Sequence, residues 1–153
     1  MQQGMPFAAM DHGIDMLSAQ MYEEFLVPVV KRINRQRGTT APTVLHHCGR
    51  GSHLFPMVKK HFGLTHLDAL TYPMVDIARV RRELGEDIWI TAIVDDGIIQ
   101  NGPAESIRQA VEELMQSGVK GNGRFALIVG DMLQGVPLEH RLAYYEAVKE
   151  FGG

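Results

Sequence analysis

The sequence predicts an α/β fold with a parallel sheet, on three observations. Short apolar runs of strand type alternate with segments of helical period, five times over. Polar residues gather where those runs stop: Asp11, His46 and Cys48, Asp95 and Asp96, and Asp131. No Gly-x-Gly-x-x-Gly fingerprint follows the first run, so a dinucleotide fold has no local support. Two architectures then compete. One is an open doubly wound sheet; the other is part of a (β/α)8 barrel, where several strand ends converge on one site.

Each element has a local reason. Phe7-Ala8-Ala9-Met10 is a short first strand, ending at Asp11-His12-Gly13. Ser18 can cap a helix that carries Tyr22, Phe25, Leu26, Val29, Val30 and Ile33 at helical spacing. Pro28 lies inside it and predicts a kink or break; Gly38 stops it. The run Thr43-Val44-Leu45 is a second strand, ending in His46-His47-Cys48, with Gly49 and Gly51 closing it. A helix is predicted from Ser52 through Leu54, Met57, Val58 and Phe62 to Gly63. Leu67-Asp68-Ala69-Leu70-Thr71 is a short strand, and residues 74–84 form a helix ended by Gly85.

Ile88 to Val94 is the clearest buried strand, ending at Asp95-Asp96-Gly97. Gly102-Pro103-Ala104-Glu105 opens the next helix, with proline in the first turn and an acid near the positive dipole end. That helix runs to about Ser117 and a loop spans Gly118 to Gly123. Arg124 to Val129 is the last strand, ending at Gly130-Asp131, and a helix from Leu138 to Phe151 follows.

Composition narrows the function classes. With 153 residues, 45% hydrophobic and 22% charged, residues 1–153 are expected to form one domain with a core of its own. A net charge of −3 argues against a nucleic-acid partner, and the basic run Lys31 to Arg37 reads as a solvated helix end. A single cysteine excludes an intrachain disulfide and fits a reducing cytoplasm. No apolar run is long enough to cross a membrane, and Met1-Gln2-Gln3-Gly4 lacks the pattern of a signal peptide.

The chemistry-bearing residues sit at the strand ends. On a strand His46 and Cys48 share one side and His47 takes the other. Imidazole and thiolate both suit zinc, but a third ligand must come from elsewhere in the fold. The plainer reading is a structural histidine beside a buried, inert cysteine. Arg50, between glycines, could hold a carboxylate or phosphate of a small-molecule substrate. Asp95 and Asp96 could orient substrate or ligate metal, or simply form a turn with Gly97. Asp131 could serve as a ligand or as a loop cap. His53, His61, His66 and His140 read as surface residues of helices and loops, and the nine methionines as core filler.

Taken in order, these pieces resemble the uroporphyrinogen decarboxylase superfamily, which includes the cobalamin-dependent methyltransferases. The resemblance is carried by Asp11 with Met16-Leu17-Ser18 through Phe25 and Pro28, and by His46-His47-Cys48-Gly49. It continues in Ile93-Val94-Asp95-Asp96, Gly102-Pro103-Ala104-Glu105, Gly130-Asp131 before Pro137-Leu138-Glu139, and Tyr145 to Gly152. The His-x-Cys-Gly element is its most specific part.

The resemblance implies the last five strands of a TIM-type (β/α)8 barrel, an incomplete barrel without its first three strands. It also implies an active face that includes Asp11, Arg50, Asp95 and Asp96 as substrate-binding residues. The methyltransferase branch binds zinc through His-x-Cys and a later cysteine; His46 and Cys48 match, and Asp131 stands in the third place. Such enzymes pass a methyl group between a small substrate and a corrinoid carried by a partner protein. The family's decarboxylases, of porphyrin biosynthesis, place a histidine at that third position, and their arginine-bearing motif and catalytic aspartate lie in the part not matched here. A carboxy-lyase, and a non-catalytic fragment or half of a split enzyme, are therefore the other readings. Open strand edges imply self-association or pairing with an N-terminal half-chain.

Overall fold

The computed structural model describes residues 7–10, 13–38, 43–130 and 135–153. Five strands form one parallel sheet in sequential order, β1 (Phe7–Met10), β2 (Thr43–His46), β3 (Leu64–Tyr72), β4 (Trp89–Val94) and β5 (Phe125–Leu127). Among the described residues the order never reverses and no switch point occurs, so the doubly wound alternative falls away. This is the arrangement of an arc of a (β/α)8 barrel.

Helices join the strands. They are α1 (Ala19–Met21), α2 (Val27–Arg37), α3 (Phe55–Phe62), α4 (Ile77–Leu84), α5 (Asp96–Asn101), α6 (Ala104–Gln116) and α7 (Leu138–Phe151). Their apolar sides pack on one face of the sheet. Leu45, Leu67, Ile90 and Ala92 from the strands meet Phe55, Val58, Ile77, Val80, Leu84 and Leu114 from the helices. A second cluster joins Val94 to Ile99, Ile107, Val111, Tyr144 and Ala147. The opposite face carries the alternate residues Val44, His46, His66, Asp68, Thr91 and Ile93, as a strand period of two requires.

Several boundaries move from the sequence reading, each for a local reason. Ser18 does cap α1, accepting the Met21 amide at 3.1 Å. The break foreseen near Pro28 takes the form of a π-helical turn over Tyr22–Leu26, with the Val27 amide reaching back to the Tyr22 carbonyl. A wider turn there avoids the steric conflict that a proline ring makes with the turn before it. The helix expected from Ser52 starts as a 3-10 turn, Gly51–Leu54, and becomes α-helical at Phe55. Strand β3 is nine residues long, extending to Leu64 because that residue pairs with Thr43.

Helix α4 starts at Ile77 rather than at residue 74, because the Asp76 carboxylate accepts the Arg79 amide at 2.8 Å and caps it there. Strand β5 is Phe125–Leu127, paired with Ile90–Ala92; one further ladder bond runs past each end, from the Ile90 amide to the Arg124 carbonyl at 3.0 Å and from the Ile128 amide to the Ala92 carbonyl at 2.9 Å. Helix α5 has no counterpart in the sequence reading, which ends the strand at Asp95-Asp96-Gly97 and leaves those acids as site residues or a turn.

Three histidines expected at the surface are not fully there. His61 on α3 is half-buried, its side chain 14% exposed. His140 is 8% exposed, its Nδ1 lying 3.0 Å from the Ile99 carbonyl between α5 and α7. His66 is half-buried on β3. Arg81, on the inner side of α4, is 3% exposed. Its guanidinium donates to the carbonyls of Gly85, Ile88, Val119 and Arg124 at 2.6–3.2 Å. One cation thus fastens the end of α4, the entry to β4 and the loop before β5.

Candidate functional site

The carboxyl end of β2 holds three consecutive side chains with three different fates. His47 is fully buried on the helix side. Its Nε2 accepts the Gly51 amide at 2.8 Å and its ring stands edge-on to Phe55, centroids 5.7 Å apart. This histidine folds the loop that follows the strand. The glycines in that loop leave room for it: a Cβ on Gly51 would lie 2.7 Å from His47 Nε2 and 2.9 Å from Ile14, and one on Gly49 would lie 3.2 Å from the ring. The Gly-Arg-Gly pattern is therefore explained by packing against His47.

His46 and Cys48 take the other face. Burial alternates along the chain, Leu45 buried, His46 half-buried, His47 buried, Cys48 exposed. The strand ladder continues past β2, since the His47 amide bonds the Asp68 carbonyl at 3.0 Å. The Thr71 hydroxyl donates to the Cys48 carbonyl at 3.3 Å and holds that residue over the end of β3.

The partner that sequence reasoning missed is Asp68. His46 Nδ1 donates to its Oδ2 at 2.8 Å, and the Thr91 hydroxyl donates to its Oδ1. Burial pushes the Asp68 carboxyl up, but the bonds from His46 and Thr91 outweigh it and the net shift is downward. Beneath this pair, burial pushes the His66 imidazole down against the pull of the Asp68 charge. The His66 ring stands edge-on to Trp89 with centroids 6.5 Å apart. The signal for Asp68 was an acid inside an apolar run; its meaning depended on the register that sets it opposite His46.

The remaining candidates scatter around the same end of the sheet. Asp95 accepts the Gly97 amide at 2.9 Å and caps α5, so its carboxylate has a structural occupation. Asp96 is half-buried and reaches the end of β5: a Cβ on Gly130 would lie 2.9 Å from its Oδ1. Arg50 is exposed and borders a cavity of about 270 Å³ between the loops after β2 and β3, shared with Ser52, Asp76 and Arg79. None of the bonds that join His46 to Asp68 and Thr91 includes it. Asp11 and Asp131 lie outside the described residues. Among the described residues no three His, Cys, Asp or Glu side chains come together as a metal site.

A parallel sheet in sequential order, with its polar residues at the carboxyl ends of the strands, defines an arc of a (β/α)8 barrel. The comparisons give the family. The family model described as uroporphyrinogen decarboxylase (URO-D) matches residues 7–151. The chain belongs to the uroporphyrinogen decarboxylase family.

A relative, the methylated-thiol–coenzyme M methyltransferase of Methanosarcina mazei, is 29% identical over 139 residues, covering 88% of this chain and 34% of its own. A solved methyltransferase from Methanosarcina mazei superposes with a TM-score of 0.67 at 19% identity, covering 95% of this chain and 42% of that one. At that identity the superposition speaks for the fold. The chain spans about a third of the length of the relative it matches in sequence.

Proposed function

We propose that this chain, residues 1–153 as one domain, is the C-terminal part of a zinc-dependent corrinoid methyltransferase. The observation that carries the reading is the pairing of an imidazole and a thiol on one strand end, with a carboxylate behind the imidazole. A histidine that ligates a metal commonly donates its other ring N–H to a carboxylate, as His46 does to Asp68. The donor set fits zinc: His46 through Nε2, Cys48 through Sγ and, as third ligand, Asp131 from the segment after β5. The relative's name, a methyl transfer involving thiols, favours the same chemistry.

Bound zinc would lower the pKa of a substrate thiol and so supply a nucleophile at neutral pH. Around it the chain's own groups act on the substrate. Arg50 offers a guanidinium to an anionic substrate group, and Asp95 and Asp96, which follow β4, and Asp11, which follows β1 in the sequence, are the further substrate-binding groups of this reading. The methyl group would pass between this small substrate and a corrinoid on a partner protein. A single cysteine and no disulfide suit a cytoplasmic setting. No helix among the described residues is long and apolar enough to cross a membrane.

The open arc carries a second part of the proposal. Among the described residues β1 and β5 each pair on one side only, and such edges favour a further polypeptide, an N-terminal half-chain or a second copy.

Zinc content tests the reading. The purified chain is expected to hold close to one equivalent of zinc, and Cys48→Ala to lose it while keeping its far-UV spectrum. Equal metal content in the two folded proteins would overturn the zinc site.

A further inference from the structure

We propose that Asp68 is the residue that positions His46, and that a β-bulge built around Thr91 aims it. This rests on the zinc reading for its purpose, but its geometry stands by itself. Strand β3 steps from Leu67 to Leu70 while β4 steps from Ile90 to Ala92, so β3 carries one extra residue at this point. The extra residue leaves Asp68 and Ala69 opposite Thr91. Ala69 takes a φ of +63°, a left-handed conformation that costs a residue with a Cβ. Strain of this kind persists where surrounding bonds over-determine it, and it clusters at functional sites.

The bonds that hold the bulge are the bonds that hold the carboxylate. The Thr91 hydroxyl accepts the Ala69 amide at 3.0 Å and donates its own hydrogen to Asp68 Oδ1. Asp68 Oδ2 then accepts His46 Nδ1–H at 2.8 Å. A carboxylate can only accept, so this bond requires the imidazole proton on Nδ1 and places the ring lone pair on Nε2. A flat strand would pair Asp68 regularly and would have no amide to turn onto Thr91. The chain from Ala69 through Thr91 and Asp68 to His46 therefore selects one tautomer and one ring orientation.

The test has two readouts on the full chain. The first is the tautomer of His46, from the ¹⁵N shifts of the imidazole at about pH 8, where an ordinary histidine is neutral. Wild type and Thr91→Ser are expected to show the Nδ1–H form; Asp68→Asn, whose amide can donate as well as accept, is expected to lose that preference, and Thr91→Val to weaken it. The second is zinc affinity by competition with a chromophoric chelator, expected to fall about 10–100-fold in Asp68→Asn and to be retained in Thr91→Ser. An unchanged tautomer in folded Asp68→Asn overturns the inference. Wild type that shows the Nδ1–H form yet takes up no zinc overturns the zinc reading and leaves the positioning role standing. Should Asp68→Asn fail to fold, Thr91→Val against Thr91→Ser decides alone: equal tautomer populations in that pair sink the proposal.

Discussion

His66 and Trp89 make the inner face of the sheet readable from outside. Trp89 is the only tryptophan of the chain, and the His66 ring lies edge-on beside it. Burial lowers the His66 pKa, so folding disfavours its charged form. The unfolded chain, with an ordinary histidine near pH 6.5, then takes up the proton first as pH falls. The stability that His66 lends is present above about pH 6.5 and is lost as pH drops from there through the lower folded value. A protonated imidazole quenches a neighbouring indole more strongly than a neutral one. Trp89 fluorescence should therefore fall on acidification with a midpoint below 6.5, and His66→Gln should flatten the curve. A midpoint at or above 6.5 would contradict the burial.

A second residue-scale expectation concerns Gly51. Its missing Cβ is the space that His47 fills. Gly51→Ala should destabilise the chain by about 1–3 kcal/mol, the usual cost of overpacking, measured by urea unfolding. At this scale the sequence was partly legible. Alternation alone separated His47 from His46 and Cys48. Asp68 and Thr91 were not legible, because their roles depend on strand register and on a bulge that no short-range pattern specifies.

Elements were legible where a cap or a stop residue marks them, and less so where a tertiary partner sets the boundary. Gly38 and Gly63 end α2 and α3 in the left-handed conformation, at φ of 61° and 65°, as the sequence suggested. Helix α7 has the bounds expected of it, Leu138–Phe151. By contrast, β5 is shorter than its apolar run, pairing with β4 only over Phe125–Leu127, and the reach of β3 is set by its pairing with Thr43. Removing the Ser18 cap through Ser18→Ala should cost about 1 kcal/mol, read in the same urea titration. Arg81 matters more. Its four carbonyl partners belong to the end of α4, the entry to β4 and the loop before β5. Arg81→Met keeps the length and leaves those carbonyls without their donor. The expected loss is about 3 kcal/mol or more, since bonds to a charged donor contribute about 1.5–3 kcal/mol each and are not additive. Hydrogen exchange should rise first at the amides of residues 117–124. A uniform rise across the sheet would mean that Arg81 acts on global stability alone.

At the scale of the molecule the two faces of the sheet are unequal. Parallel sheets normally have both faces covered. Here the helices cover one, and on the other side Trp89 is 40% exposed. The helices at the ends of the arc repeat the pattern. Glu23 and Lys31 reach His61 on α3, at 2.9 and 3.3 Å. Val29 sits two positions from Lys31, about 200° around α2, and so points away from α3, with Phe25 one turn before it. Phe25 is 64% exposed and Val29 41%. On α7, Leu138, Leu142 and Tyr145 are exposed at helical spacing. Apolar surface so placed favours association. The chain alone should bind an apolar dye and sediment as more than a monomer. Phe25→Ser combined with Val29→Ser should lower both signals without changing the far-UV spectrum, because neither side chain is buried. A wild-type chain that sediments as a monomer and binds no dye would show that these faces need no partner. An added N-terminal half-chain that suppresses the dye signal would identify the cover as the remaining β/α units; suppression by raising the chain's own concentration would identify it as a second copy.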